Sequence, residues 1–447
     1  MYFHEAEILE LNDLIEGFYE EQRVLGDYPG LSIAIQLGPK KTFLKNYGTC
    51  NKHQKVNSNT IFRIGSLTKI FTAVLLLQAR DSKLCSLDDS IVKYLPSAST
   101  KGLHKDFNRI TIRQIVSHLS GLPREAPFDY WRTRDFPDRQ QFLRCLNSVK
   151  PVYPPLHMGK YSNLGYALLG IILENIYGKD YFEILEEKII IPLNLRETGF
   201  YKDKKYRKNY ANGFEKENNK IVKRSFTSDL KSLAPAGGMY SSILDLMIFL
   251  NIHTGTSQKP QILCQTSIQE MQNPMWISSD FRSSVCMGWW ACPVSGLKLL
   301  YHGGSINSFS SFMGLVPQLR LCVIFLANMR CDYNRLINNI IGFSKKIDLN
   351  SVEAKMVNAE EDATRYAGNY LSPIGDTFYI KNKGHLLFLR KKGDPKVKIE
   401  LIHTDENVFL MRDGFLCGEE LRFHFSDDGM CEFFFAGSMK FINKIIM

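Results

Sequence analysis

The chain has 447 residues, of which 44% are hydrophobic and 23% charged, and carries a net charge of +10. That length allows two or three domains with a sizeable core, and the balance excludes a disordered or fibrous chain. The positive charge lies in short clusters (Lys40-Lys41, Lys204 to Lys208, Arg390 to Lys392) without groove-tracking aromatic spacing, which reads as solvated surface, not a nucleic-acid stripe, and leaves attraction of anionic substrates open.

In chain order, Ile8, Leu11, Leu14, Ile15, Phe18 and Tyr19 recur at helical spacing and predict an amphipathic helix over 7–22. Leu31 to Leu37 and Thr42 to Tyr47, separated by Gly38-Pro39-Lys40-Lys41, read as a hairpin. Gly65 permits a tight turn, Ser66 stands at an N-cap or first-turn position, and Ile70 to Leu77 follows as a buried helix. Short helices are expected after Leu87-Asp88-Asp89 and over 110–119, and longer ones over 166–177, with Gly178 as C-cap, and 181–189. Ala236-Gly237-Gly238 turns into a helix over 243–250. Strand character returns at 287–291, 298–302, 309–316 and 321–326, before a helix over 331–345. Strands from both ends of this region predict one antiparallel sheet with a helical lobe inserted, an α/β domain of the α+β kind.

Residues 347–362 are polar and read as a linker. Beyond it, six alternating runs between 377 and 435, separated by turns such as Lys383-Gly384 and Asp413-Gly414, predict a small all-β barrel or sandwich. The ten cysteines form no C-x-x-C pair, and several lie in apolar runs, as expected for buried free thiols in a reducing compartment. No apolar stretch is long enough to span a membrane. The acidic N-terminal stretch matches neither a signal nor a transit peptide, so the expected compartment is the cytosol, with signal-independent export left open.

Three groups carry chemistry. Ser66 and Lys69 are three apart, one helical turn, the spacing a nucleophile and its base require. Ser90/Lys93, Ser228/Lys231 and Ser295/Lys298 share that spacing, and the octapeptide alone fits equally a capping serine beside a solvated lysine. Tyr161-Ser162-Asn163 precedes a long helix, where it either offers a phenol and an amide to a cleft or simply caps the helix. Tyr301-His302-Gly303-Gly304-Ser305 ends a strand with two glycines, either a structural turn or a place where a ligand approaches the backbone.

In this order the three groups resemble the serine β-lactamase and penicillin-binding-protein superfamily, in particular its class C β-lactamase-related branch. Phe62 to Lys69 is similar to the nucleophile motif, Tyr161-Ser162-Asn163 to Y-x-N, and His302-Gly303-Gly304 to K-T-G or H-x-G. Flanks such as Ser117 to Pro123 and Pro235 to Ser241 extend the likeness over residues 8–345, and Arg365 to Tyr370 is similar to the opening of a lipocalin-like barrel. The resemblance implies a β-lactamase/transpeptidase-like domain over 1–346, a linker over 347–362 and a lipocalin-like barrel over 363–447.

It further implies that Ser66 attacks a carbonyl and is acylated. Lys69 and Tyr161 would share the proton as bases of depressed pKa, Asn163 would fix Lys69 and touch the substrate, and His302 would add positive charge near Tyr161. The backbone N–H groups of Ser66 and Ser305, the latter following Gly304, would hold the oxyanion. The partner is a small-molecule or short-peptide acyl substrate, with no cofactor or metal. His302 and Gly303 stand where antibiotic-hydrolysing relatives carry a Lys and a Thr or Ser that grip the ligand carboxylate. The expected function is therefore a serine hydrolase acting on an ester or amide. Alternatives are β-lactamase, acyltransferase, or a binding or scaffold protein retaining the cleft.

Overall fold

The computed structural model describes residues 5–22, 30–39, 41–51, 54–200, 209–217, 220–224, 229–255, 260–355, 363–372, 376–383, 386–405, 407–411, 420–426, 430–436 and 439–443. It divides into two compact units, Met1–Val294 with Lys298–Ile340, and Ser295–Leu297 with Ile341–Met447.

Helix α1 (Glu5–Gln22) precedes the hairpin β1 (Leu31–Leu37) and β2 (Lys41–Tyr47). Helices α2 (Thr68–Asp81), α3 (Asn163–Tyr177) and α4 (Ile243–Asn251) come next. They are followed by β3 (Trp276–Ile277), β4 (Ser284–Val285), β5 (Trp290–Val294), β6 (Leu297–Ile306), β7 (Phe309–Val316), β8 (Leu321–Ala327) and helix α5 (Asn334–Lys355). The strands form one sheet in the order β3-β4-β5-β6-β7-β8-β1-β2. The junction between the early and late parts of the chain is the β1–β8 pair, antiparallel from Leu31↔Ala327 to Leu37↔Leu321. Every residue of β1 and β8 is buried, which explains why both read as continuous apolar runs.

Alternation along β8 assigns its faces. Cys322, Ile324 and Leu326 join the core that contains α2, whereas Phe325 meets Phe18 of α1 edge-on at 5.8 Å. Within that core the Phe71 ring of α2 stacks on Phe249 of α4. Helix α3 is capped at both ends: Ser162 Oγ accepts from Gly165 N at 2.9 Å, and Gly178 turns left-handed with φ 66°.

The C-terminal unit holds an eight-stranded antiparallel barrel from Gly368–Leu371 to Met439–Asn443, closed by the pairs Tyr370↔Asn443 and Leu371↔Ile442. Its interior is filled by Tyr370, Phe409, Phe423, Phe434 and Phe441 with surrounding aliphatics. Six of these strands coincide with the alternating runs. The first overlaps Arg365 to Tyr370, the stretch similar to a barrel opening, and the last was not anticipated.

Other differences are local. Helix α5 continues to Lys355, so the expected linker is helical over 347–355, and 356–362 lies outside the described residues. That stretch contains no Gly or Pro to stop the helix. The strand expected over 287–291 begins at Trp290, because Gly288 adopts φ 74°. The helix expected over 181–189 passes into a π-turn at Glu186–Ile190. All described cysteines are free thiols, and no described helix is long and apolar enough to cross a membrane.

His253 is buried between Phe249 and Trp289, and neither ring nitrogen has a partner. Burial drops its pKa to about 3 from 6.5. The unfolded chain thus binds the extra proton first, and the stability His253 contributes is full above pH 6.5 and lost as pH falls toward 3. In urea melts between pH 5 and 6, His253→Phe is expected to lower the pH slope of unfolding free energy by about one proton, ~1.4 kcal/mol per pH unit. An unchanged slope would show that His253 is charged in the fold.

Candidate active site

Ser66 lies in a 3-10 turn, Gly65–Leu67, immediately before α2. It is not a cap: the α2 N-cap position is Leu67, and no side chain caps that end. The turn is tied down instead by Thr68, whose Oγ1 donates to Gly65 O at 2.7 Å and accepts from Met239 N at 3.2 Å. Gly65 has φ 50°, and a Cβ there would sit 3.1 Å from Ser305 N, so glycine lets the Ser66 turn approach β6.

The Ser66 hydroxyl has two polar neighbours. Tyr161 OH donates to its Oγ at 2.7 Å, and Lys69 Nζ lies 3.4 Å away. Lys69 is fully buried in the first turn of α2, with Nζ 2.7 Å from Asn163 Oδ1 and 2.6 Å from Ala236 O. Burial pushes its pKa well below the usual lysine value; Glu125 opposes this and Arg124 reinforces it. A neutral amine has two N–H donors and one lone pair. The two carbonyl oxygens take the donors, and the lone pair is left for the Ser66 hydroxyl proton.

Tyr161 differs from expectation. Burial raises its pKa to about 12, so it is a phenol that donates, not a second base of depressed pKa. His302 also differs: it is buried on β6, its Nδ1 is 2.8 Å from Gly303 O, and burial lowers its pKa to about 3. It therefore contributes a neutral imidazole, not positive charge, beside Tyr161, with ring centroids 6.2 Å apart.

The two glycines of β6 have separate reasons. A Cβ on Gly304 would meet Ser311 Oγ at 2.1 Å and Ile64 O at 2.2 Å, so the strand lies directly against the residue before the Ser66 turn. A Cβ on Gly303 would meet Tyr333 Oη at 2.6 Å. The space a threonine would fill is occupied by a tyrosine that packs on Phe312 and Phe325. Ser305 lines the cleft with Ser66 and Asn163.

Several contributors had no sequence signal of their own. Glu125 Oε1 accepts from Asn163 Nδ2 at 2.7 Å and its Oε2 from Tyr130 OH at 2.6 Å. That bond sets the amide so that Oδ1 faces Lys69. His118 Nδ1 accepts from Ser162 N at 3.1 Å, and its ring lies 4.6 Å from that of Tyr161. Their position in Ser117 to Glu125, partly a recognised flank, was the available hint. Of the competing pairs, Lys93 is exposed and bound to Asp89, Ser295 and Lys298 fall at a hairpin turn and a strand start, and Ser228 lies outside the described residues.

Comparisons with known proteins bear on the family and the fold. The Beta-lactamase family matches residues 11–331, more than half of the chain. "Beta-lactamase-like protein 2" of Dictyostelium discoideum is 32% identical over 63% of this chain; the chain spans about half of that relative, 52% of its length. The octameric penicillin-binding protein homologue from Pyrococcus abyssi superposes with a TM-score of 0.65 at 22% identity, over 98% of this chain and 100% of that one. A class C beta lactamase from Rhodobacter sphaeroides superposes with 0.64 at 22% identity, over 77% and 100%. At these identities the two structures speak for the fold.

The clash at Gly303 is testable as a coupling. Gly303→Thr is expected to destabilise by about 1–3 kcal/mol through overpacking on Tyr333. In Gly303→Thr/Tyr333→Ala that increment should shrink relative to Tyr333→Ala alone. Additive losses in thermal or urea melts would show that the two positions do not share the space.

Proposed function

The chain belongs to the Beta-lactamase family, and from that membership we propose that it is a serine hydrolase that cleaves an ester or amide through an acyl-enzyme on Ser66. The observation that carries the reading is the Lys69 amine, fully buried and held by two carbonyl oxygens with Ser66 as its third neighbour.

In this mechanism Lys69 takes the Ser66 proton as Oγ bonds to the substrate carbonyl carbon. The backbone N–H groups of Ser66 and Ser305 receive the oxyanion, each such donor being worth about 3 kcal/mol in the transition state. Tyr161, hydrogen-bonded to Oγ, stands beside the bond that breaks. It passes a proton to the leaving oxygen or nitrogen and is reprotonated from Lys69. Water then repeats the sequence on the acyl-enzyme, releasing the acid and restoring Ser66. Acyl transfer differs only in the acceptor, an alcohol or amine replacing water. In the same reading the protein works in the cytosol. Its C-terminal unit is a lipocalin-like barrel whose aromatic filling suits a structural role better than ligand carriage.

Lys69→Arg separates proton acceptance from hydrogen-bond donation, because a guanidinium keeps its proton and has no lone pair to offer the Ser66 hydroxyl. Hydrolysis of a short-chain p-nitrophenyl ester is expected to vanish in Ser66→Ala and to fall by roughly 10²–10⁴ in both Lys69→Ala and Lys69→Arg. In the wild type kcat/KM should rise with pH as Lys69 becomes neutral, with no inflection from His302 between pH 5 and 9, since that ring titrates at about 3. Activity retained in Lys69→Arg would remove Lys69 as the base. Activity retained in Ser66→Ala would remove the acyl-enzyme.

A further inference from the structure

Both residues that flank Tyr161 are tied to His118. Lys160 N donates to His118 O at 2.8 Å, and Ser162 N donates to His118 Nδ1 at 3.1 Å. Between those two bonds the His118 ring packs on the Tyr161 ring, with centroids 4.6 Å apart and planes tilted by 34°. The next backbone anchor is Arg124 O, which accepts from Asn163 N at 2.8 Å. One residue therefore meets the phenol's segment through its main chain, a ring nitrogen and its ring surface.

Core packing alone does not explain a histidine here. His118 is buried, and its φ of 57° lies in the left-handed region that residues with a Cβ enter uncommonly. Because Nδ1 accepts from a backbone N–H, the proton of the neutral imidazole sits on Nε2. That Nε2 is buried and has no partner among the described residues. Leaving a buried N–H donor unpaired is costly, and an apolar side chain would avoid it. Burial also holds the His118 pKa well below 6.5, so Nδ1 keeps its lone pair for Ser162. What the imidazole supplies that an apolar side chain cannot is this acceptor, placed one residue from Tyr161.

We propose that His118 is the positioning residue of Tyr161: the bond its Nδ1 accepts from Ser162 N holds the phenol where it meets Ser66 Oγ and can protonate the leaving group. This rests on the acyl-enzyme reading, in which Tyr161 passes its proton to the leaving oxygen or nitrogen. His118 itself exchanges no proton with the substrate.

The test uses two esters with leaving groups of different basicity. p-Nitrophenolate departs with little help from an acid, whereas phenolate gains from protonation. The kcat/KM for p-nitrophenyl acetate divided by that for phenyl acetate therefore reports the proton that Tyr161 delivers. Tyr161→Phe is expected to raise this ratio about ten- to hundredfold. His118→Phe and His118→Leu, which lack the acceptor, should each raise it about three- to tenfold. His118→Asn offers an amide oxygen to Ser162 N and tolerates a left-handed backbone, so its ratio should stay within about twofold of wild type. In the Tyr161→Phe background, His118→Phe should add nothing further. Because each ratio is taken within one variant, a smaller folded fraction does not move it.

The role of His118 alone would be overturned by a ratio unchanged in both His118→Phe and His118→Leu, or raised as much in His118→Asn. An increment that persists in the Tyr161→Phe background would do the same. A ratio unchanged in Tyr161→Phe would remove Tyr161 as the proton donor, and this proposal with it. Hydrolysis of neither ester, or hydrolysis unchanged in Ser66→Ala, would overturn the acyl-enzyme reading itself and everything that rests on it.

Discussion

The structure depends on a fully buried lysine amine. Charging a group in such a place costs several kcal/mol unless a counter-charge meets it, and none lies in contact with Lys69. Its neighbours are dipoles: Asn163 Oδ1, Ala236 O and the Ser66 hydroxyl. Three separate parts of the chain, the start of α2, the start of α3 and the turn Ala234–Gly237, therefore converge on one nitrogen. Thr72 reinforces the arrangement one turn further along α2, donating to Pro235 O at 2.7 Å. The same packing that makes α2 a core helix thus lowers the pKa of its lysine.

Glu125 shows how narrowly the balance is struck. Its carboxylate favours a charged Lys69, and burial opposes that. Burial prevails because Glu125 acts from one residue away, through the Asn163 amide, while its own charge is partly met by Arg124 and remains in touch with solvent. What Glu125 contributes is orientation. It accepts from the Asn163 NH₂ group, so the amide oxygen is turned toward Lys69, and Tyr130 OH holds the carboxylate in place.

How much of this the sequence disclosed follows from what residue types can encode. The β1/β2 hairpin, the apolar run of α2, the antiparallel sheet drawn from both chain ends and the order of the three motifs were legible, because periodicity and turn residues are local. Of the two positions open to Ser66, cap or first turn, the structure takes the turn, since Gly65 starts a 3-10 turn and moves the cap position to Leu67. The charge states of Tyr161 and His302 were misjudged for one reason: desolvation belongs to the surroundings, not to the residue. The role of Ala236 rests on a backbone carbonyl and has no side-chain signature. Helix α5 was cut short because polar composition was taken for a linker, whereas Ala, Glu and Lys near its end are good helix formers.

The strand β6 shows how packing limits what one side of the cleft can present. At three successive positions a neighbour decides what the strand can present. His302 is enclosed beside Lys69 and stays neutral, Gly303 gives way to the Tyr333 hydroxyl, and Gly304 is pressed against Ile64 O. Restoring a lysine and a threonine there would require moving Tyr333 from its contacts with Phe312 and Phe325, and placing a second amine near one whose neutrality depends on its surroundings. The strand therefore supplies shape and backbone donors. Charge enters the cleft from Arg124 and Arg134 in the helical lobe and Arg330 beyond β8, where side chains reach solvent and carry charge at little cost.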